Sequence, residues 1–270
     1  MINFFAILAF ILGTVFGSFL SVIIYRIKSN KKGMILGRSM CPFCKKKLKF
    51  RYLVPVLSWL FLRGKCGYCG KKIGINYLAL EVATGLTFLV LFLTFNFIEI
   101  KFDQFFLNYE MLKLFVFYTI EFLFLMAIFF YDLQYKEIPD RFSITAIVLA
   151  ITGNILLNTV NPLNMAIGGI SISLFFALQF LLSRGKWIGG GDLRLGFLMG
   201  VLLGWEKGLV ALIIAYMVGA LLSLILLGMK KLDRKSQIPF GPFLVTGTLI
   251  AFFFGQQILD WYFGGIFIGL

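Results

Sequence analysis

The sequence predicts an all-α protein threaded about eight times through a membrane, and three observations predict it. Of its 270 residues 60% are hydrophobic, 33 are Phe and only 14% are charged, which is more apolar surface than a soluble core can hide. Uninterrupted apolar runs recur along most of the length, and the longer ones reach the roughly 20 residues that a helix needs to cross a bilayer. Finally, 14 of the 26 Lys and Arg fall between Arg26 and Lys72, an interval without Asp or Glu, as the positive-inside rule expects of a cytoplasmic loop. Topology thus accounts for the net charge of +14, and no nucleic acid is expected among the partners, which begin with the lipid bilayer itself.

The first span covers about residues 4–25. Met1-Ile2-Asn3 supplies no basic n-region, so the span reads as a retained helix with Met1 outside, not as a removed signal peptide. It delivers residues 26–76, with all four Cys, to the cytoplasm, where thiols stay reduced. The second span, about 77–97, leads to an outer loop holding Glu99, Lys101, Asp103 and Glu110. The third, about 111–131, returns inside to a charged turn, Asp132 to Arg141, interrupted by Pro139. The fourth span ends outside near Asn161-Pro162, and the fifth, about 165–183, comes back to the basic Arg184-Gly185-Lys186. The next apolar piece, about 195–205, is short for a crossing, so a tilted helix or one lining a protein-walled cavity is expected. Spans at about 208–229 and 240–258 flank the basic stretch Lys230 to Lys235 and leave the C-terminus outside. The domain reading is a first helix at 1–25, a cytoplasmic loop domain at 26–76 and a membrane domain at 77–270.

Two constellations can carry chemistry. Cys41-Pro42-Phe43-Cys44 and Cys66-Gly67-Tyr68-Cys69 are C-x-x-C knuckles that use every Cys in the chain. Four thiolates so spaced can surround one Zn²⁺ tetrahedrally and leave no open catalytic position, so a structural zinc is favoured over disulfides or a nucleic-acid zinc ribbon. The second constellation is Asp132 with Asp192, which the topology brings to the same membrane face. Carboxylates at helix ends in a membrane protein are costly and point to function. Two carboxyls brought together resist double ionisation, so one serves as acid while the other activates a water, a pair able to hydrolyse a peptide bond. The chain has no His, which removes Ser-His-Asp and Cys-His chemistry and leaves a Ser-Lys dyad open. The bland alternative makes Asp132, Glu137 and Asp140 interface residues matched to Lys136 and Arg141. Against it, Gly189-Gly190-Gly191 ahead of Asp192 permits the close approach that an extended substrate needs. No G-K-[ST] follows these glycines, so they are not a phosphate loop.

These residues resemble the type IV prepilin peptidases, membrane G-x-G-D aspartyl proteases with one Asp ahead of an [I/L]-P-D segment and another in G-x-G-D. The matching positions are Asp132 before Ile138-Pro139-Asp140, and Gly189-Gly190-Gly191-Asp192. The resemblance continues in Gly17-Ser18-Phe19-Leu20 with Arg26, Ser39-Met40-Cys41-Pro42-Phe43-Cys44, Pro55-Val56-Leu57-Ser58, Gly64-Lys65-Cys66 and Ile238-Pro239-Phe240-Gly241-Pro242. It implies a bacterial cytoplasmic-membrane endopeptidase, its active site at the cytoplasmic face. This enzyme would cut prepilins or pseudopilins of a pilus, type II secretion or competence system after Gly. Asp132 and Asp192 would be catalytic, with Gly189, Gly191 and Asp140 supporting them. It also implies N-methylation of the new amino terminus from S-adenosylmethionine, with Glu81 and Gly85 as candidates. Glu81 reads equally well as an interface carboxylate pairing with Lys71 or Lys72. Positions 74, 76 and 78 depart from the Ser, Arg and Pro common in the family. An intramembrane protease of other substrates and a proton-coupled transporter or scaffold stand as alternatives.

Overall fold

A computed structural model describes residues 2–29, 39–101, 104–230 and 238–267. Met1, Asp103 and most of the basic stretch, Lys231 to Lys235, fall outside the described residues. Helices α1 (Ile2–Lys28), α3 (Ile75–Phe95), α4 (Tyr109–Tyr135), α5 (Asp140–Leu157), α6 (Pro162–Ser183), α7 (Gly190–Gly228) and α8 (Gly241–Phe267) carry most of the chain. A short α2 (Leu57–Phe61) lies in the loop after α1, and an antiparallel hairpin of β1 (Ile98–Lys101) and β2 (Gln104–Leu107) joins α3 to α4. That hairpin is the one two-stranded sheet among the described residues, beside isolated antiparallel bridges at Met40–Lys47 and Lys65–Lys72.

Among the described residues seven helices are long and apolar enough to cross a membrane, and the eight expected are met once the two arms of α7 are counted apart. Helix α7 covers the two stretches read as separate spans and is broken between them at Gly204, where φ is +78° and ψ is −177°. A Cβ on Gly208 would stand 3.5 Å from the Cα of Gly200, whereas eight residues of straight helix span roughly 12 Å. The chain therefore folds back at Gly204, and α7 is two arms side by side. Glycine suits a conformation that side chains resist. The backbone groups that the break frees are met by two asparagines. Asn164 Oδ1 of α6 accepts the N–H of Trp205 at 2.6 Å, and Asn154 Nδ2 of α5 donates to the carbonyl of Val201 at 2.9 Å. Irregular backbone at membrane depth persists only with such partners.

The chain divides into two compact units, Met1–Ala127 and Ile128–Leu270. In the first, α1 lies against α3 through small residues. A Cβ on Gly13 would sit 2.6 Å from the Thr84 carbonyl oxygen, Gly17 abuts the Thr84 hydroxyl, and Phe16 stacks on Phe88 at 5.4 Å. Gly13 and Gly17 are thus a helix-packing pair of the G-x-x-x-G kind. In the second unit α7 packs on α5, α6 and α8, with the backbone of Gly200 directly against that of Gly168.

Candidate functional site

Asp132 belongs to the last turn of α4 and is 4% exposed. Its Oδ2 accepts the N–H of Gly241 at 2.9 Å. Gly241 is the first residue of α8, so the carboxyl faces the positive end of that helix. Asp192 lies in the first turn of α7. Its Oδ2 accepts the N–H of Gly189 at 3.1 Å, while its own N–H donates to the Gly189 carbonyl at 3.1 Å, a reciprocal cap of the helix start. The two carboxyls are within electrostatic reach of one another. Oδ1 of each makes no hydrogen bond among the described residues.

Close packing around Ile138 brings the two aspartates together. A Cβ on Gly191 would stand 2.7 Å from Ile138 Cβ, and one on Gly241 would stand 2.6 Å from Asp132 Oδ2 and 3.3 Å from Ile138 Cδ1. Gly191 is therefore required by proximity, whereas Gly190 has open space around it and Gly189 meets nothing nearer than 3.7 Å. Asp140, read from the sequence as a partner of Arg141 or Lys136, forms an ion pair with Arg194 at 2.5 Å. That pair ties the start of α5 to the start of α7.

Three residues at this site were given no part in it by the sequence. Gly241, which the sequence offered only within the Ile238 to Pro242 motif, stands between Phe240 and Pro242. Arg194 is two residues from Asp192 and was read only as topological charge. Tyr216 is the least legible, because it lies mid-span. The fold-back at Gly204 brings it within electrostatic reach of Asp192. Its hydroxyl and the Gln179 amide hydrogen-bond each other at 3.0–3.1 Å, and its ring packs on Phe240 at 5.0 Å.

In the N-terminal unit the four Sγ atoms of Cys41, Cys44, Cys66 and Cys69 all lie within 4.8 Å of one another, and Cys41 and Cys69 are 3.9 Å apart. Ligands about 2.3 Å from a tetrahedral Zn²⁺ stand nearly 3.8 Å from each other, and a disulfide needs about 2.05 Å. The group fits a metal and not a disulfide. Its geometry comes from an internal repeat that the sequence reading passed over. Cys41 N–H donates to Lys46 and Cys66 N–H to Lys71. Leu48 N–H donates to Ser39 and Ile73 N–H to Gly64. Lys71 sits over the ring of Phe43 at 5.1 Å and Lys46 over that of Tyr68 at 5.7 Å. Each partner is thus matched 25 residues away. Burial raises the Cys66 thiol, but backbone N–H groups of Cys69 and Tyr68 outweigh it and leave it lowered to about 7. Cys69 is raised to about 11, since burial and its neighbouring thiols outweigh the larger single effect of the Lys71 N–H.

Glu81 pairs with neither Lys71 nor Lys72. It is buried, and its Oε2 accepts the N–H of Val56 at 2.7 Å. Val56 has φ +62° and ψ −56°, and Leu57 N–H closes onto the Pro55 carbonyl at 2.6 Å. This is a γ-turn of the rare, strained hand, at a β-branched residue. Gly85 packs between Phe10 and Thr14 of α1, where a Cβ would meet each at 2.8 Å.

Two family models match the chain. The bacterial peptidase A24 N-terminal domain covers residues 11–95 and the type IV leader peptidase family covers residues 119–224. The chain is similar to the prepilin leader peptidase/N-methyltransferase of Legionella pneumophila, with 30% identity over 92% of this chain and 91% of the relative. It is also similar to proteins of the same name from Bacillus subtilis (28%, covering 94% and 96%) and Xanthomonas campestris (29%, covering 93% and 92%). No solved structure matches it.

Proposed function

Because the chain belongs to the type IV leader peptidase family, we propose that it is a multi-pass membrane aspartyl endopeptidase that removes the basic leader of prepilins or pseudopilins with Asp132 and Asp192. The observation that carries this reading is the pair of carboxyls, each with one oxygen fixed by a backbone N–H and the other free, held around Ile138. The carboxylate of the pair takes a proton from water as the water oxygen attacks the scissile carbonyl. The protonated partner gives its proton to the carbonyl oxygen. Collapse of the tetrahedral species expels the amine, which leaves protonated. Gly241 and Gly189 fix the carboxyls, and the Arg194–Asp140 pair holds the α7 start against α5.

The basic residues between Arg26 and Lys72 favour a cytoplasmic loop in a bacterial inner membrane, with cleavage at that face. Cutting there suits a substrate whose leader is basic and whose mature segment is apolar. The four thiols are proposed to hold a structural Zn²⁺ that supplies folding energy to a loop with little core of its own. The relatives' names also carry N-methyltransferase activity, and the same second activity is proposed here. S-adenosylmethionine would supply the methyl group. Glu81, buried beside the knuckle loop, and Gly85, which sets the approach of α1 to α3, are the residues assigned to that half.

The test is co-expression of the wild type, Asp132→Asn and Asp192→Asn with a prepilin, followed by mass spectrometry of the new N-terminus. Wild type should give a methylated N-terminus and both variants an intact leader. Unimpaired cleavage in either variant would refute the two-aspartate mechanism, and cleavage without methylation would confine the function to proteolysis.

A further inference from the structure

The knuckle loop carries an apolar face that its own fold leaves bare. Leu57, Leu60 and Phe61 of α2 fall within an arc of about 100° on one side of the helix. The two leucines are half-exposed and Phe61 is 83% exposed. Ser58, Trp59 and Leu62 fall on the opposite side and line a cavity that α2 shares with α1 and the start of α3. Phe50 opens the single 3₁₀ turn that packs beside α2 and is 84% exposed. Large side chains gathered in this way on an exposed surface mark a contact with something apolar.

Two observations set the depth of this face. Glu81, whose carboxylate accepts the Val56 N–H just ahead of α2, lies six residues inside α3, roughly 9 Å along the helix. Even with that side chain leaning back by about one turn, α2 begins alongside the first turn of α3 and not beyond its end. The cavity behind α2 is also walled by Ser18, Ser21 and Val22 of α1, four to eight residues before Arg26, the first cation of that helix. The bare face thus stands level with apolar parts of two spans. Around it Lys49, Arg51 and Arg63 are exposed, and no acid lies between Arg26 and Lys72.

We propose that α2 and Phe50 form an interfacial anchor in the adjoining leaflet. Leu57, Leu60, Phe61 and Phe50 enter the acyl boundary, and Lys49 and Arg63 meet anionic lipid headgroups. Phe and Leu on one face with basic residues beside them is the pattern that such an interface binds. The charge decides between occupants, because a basic leader peptide would be repelled by the same cations. Lipid then holds α2 against α1 and α3 from outside, as the Glu81–Val56 bond holds it from within.

The experiment places the photoreactive amino acid p-benzoylphenylalanine at Phe50, at Phe61 or at Ile11, an exposed residue of the α1 span. The metal-loaded full chain is illuminated in nanodiscs of mixed phosphatidylcholine and phosphatidylglycerol, and adducts are identified by mass spectrometry. Lipid adducts should form at all three positions, with phosphatidylglycerol enriched over its share of the bilayer at Phe50 and Phe61. Lys49→Gln combined with Arg63→Gln should cut that enrichment severalfold. Wild-type metal content marks each variant as folded. Lipid adducts at Ile11 but none at Phe50 or Phe61 would overturn the anchor, and an unchanged enrichment in the double variant would overturn the roles of Lys49 and Arg63. Adducts that pass from lipid to a prepilin added to the same nanodiscs would overturn it in favour of a substrate-docking face.

Discussion

In the N-terminal unit four thiols meet because two stretches of chain, 25 residues apart, make the same local turn twice. In the C-terminal unit two carboxyls that stand 60 residues apart meet only because helices pack. The first arrangement is built from short-range backbone hydrogen bonds and leaves four thiols spaced to hold a metal. The second is built from glycine contacts within apolar helices, at Ile138, at Gly241 and at the Gly204 fold-back. The lesson is that a local turn made twice can gather four thiols without a packed core, whereas a carboxyl pair in a membrane domain needs a close-packed one.

The largest effect should come from the aspartates. Asp132→Asn or Asp192→Asn should lower leader cleavage by at least about 10³-fold, in the range for losing an acid or base, with metal content unchanged by elemental analysis. Metal loss in these variants would break the separation between the units. Next is Gly241→Ala, whose Cβ would fall 2.6 Å from Asp132 Oδ2. A misplacement of about 1 Å costs roughly 10²-fold, so single-turnover cleavage should drop by that order while the protein stays folded.

Cys66→Ser should empty the thiol site and expose residues 39–74 to limited proteolysis, with cleavage reduced by less than about tenfold if the units are energetically separate. The pH dependence of the wild-type site has a definite sign. With Cys66 at about 7 and Cys69 at about 11, the first is mostly thiolate at pH 8 and the second must release a proton to bind. Acidifying to pH 6 adds a proton to Cys66 too, so metal affinity, measured by chelator competition, should fall. Smaller still, Tyr216→Phe removes a hydroxyl within electrostatic reach of Asp192 and should slow cleavage several-fold. The smallest effect belongs to Arg194→Gln. Its ion pair with Asp140 is 34% and 65% exposed by side chain, and such pairs contribute no more than about 1 kcal/mol, so roughly a two- to fivefold loss is expected.

The sequence by itself determined that the chain lives in a membrane, because apolar runs of crossing length cannot be satisfied elsewhere. It also determined which thiols would cluster, since C-x-x-C spacing acts over one local turn. It singled out Asp132 and Asp192 because carboxyls beside apolar helices are rare and costly. It did not reveal that the two stretches meeting at Gly204 would lie side by side, nor that Asn154 and Asn164 would meet the broken backbone, since those partners come from other helices. Gly241 and Tyr216 became part of the site only in the tertiary structure. Their roles depend on contacts across long stretches of chain, and periodicity reports which face of a helix is apolar but not which neighbour that face meets.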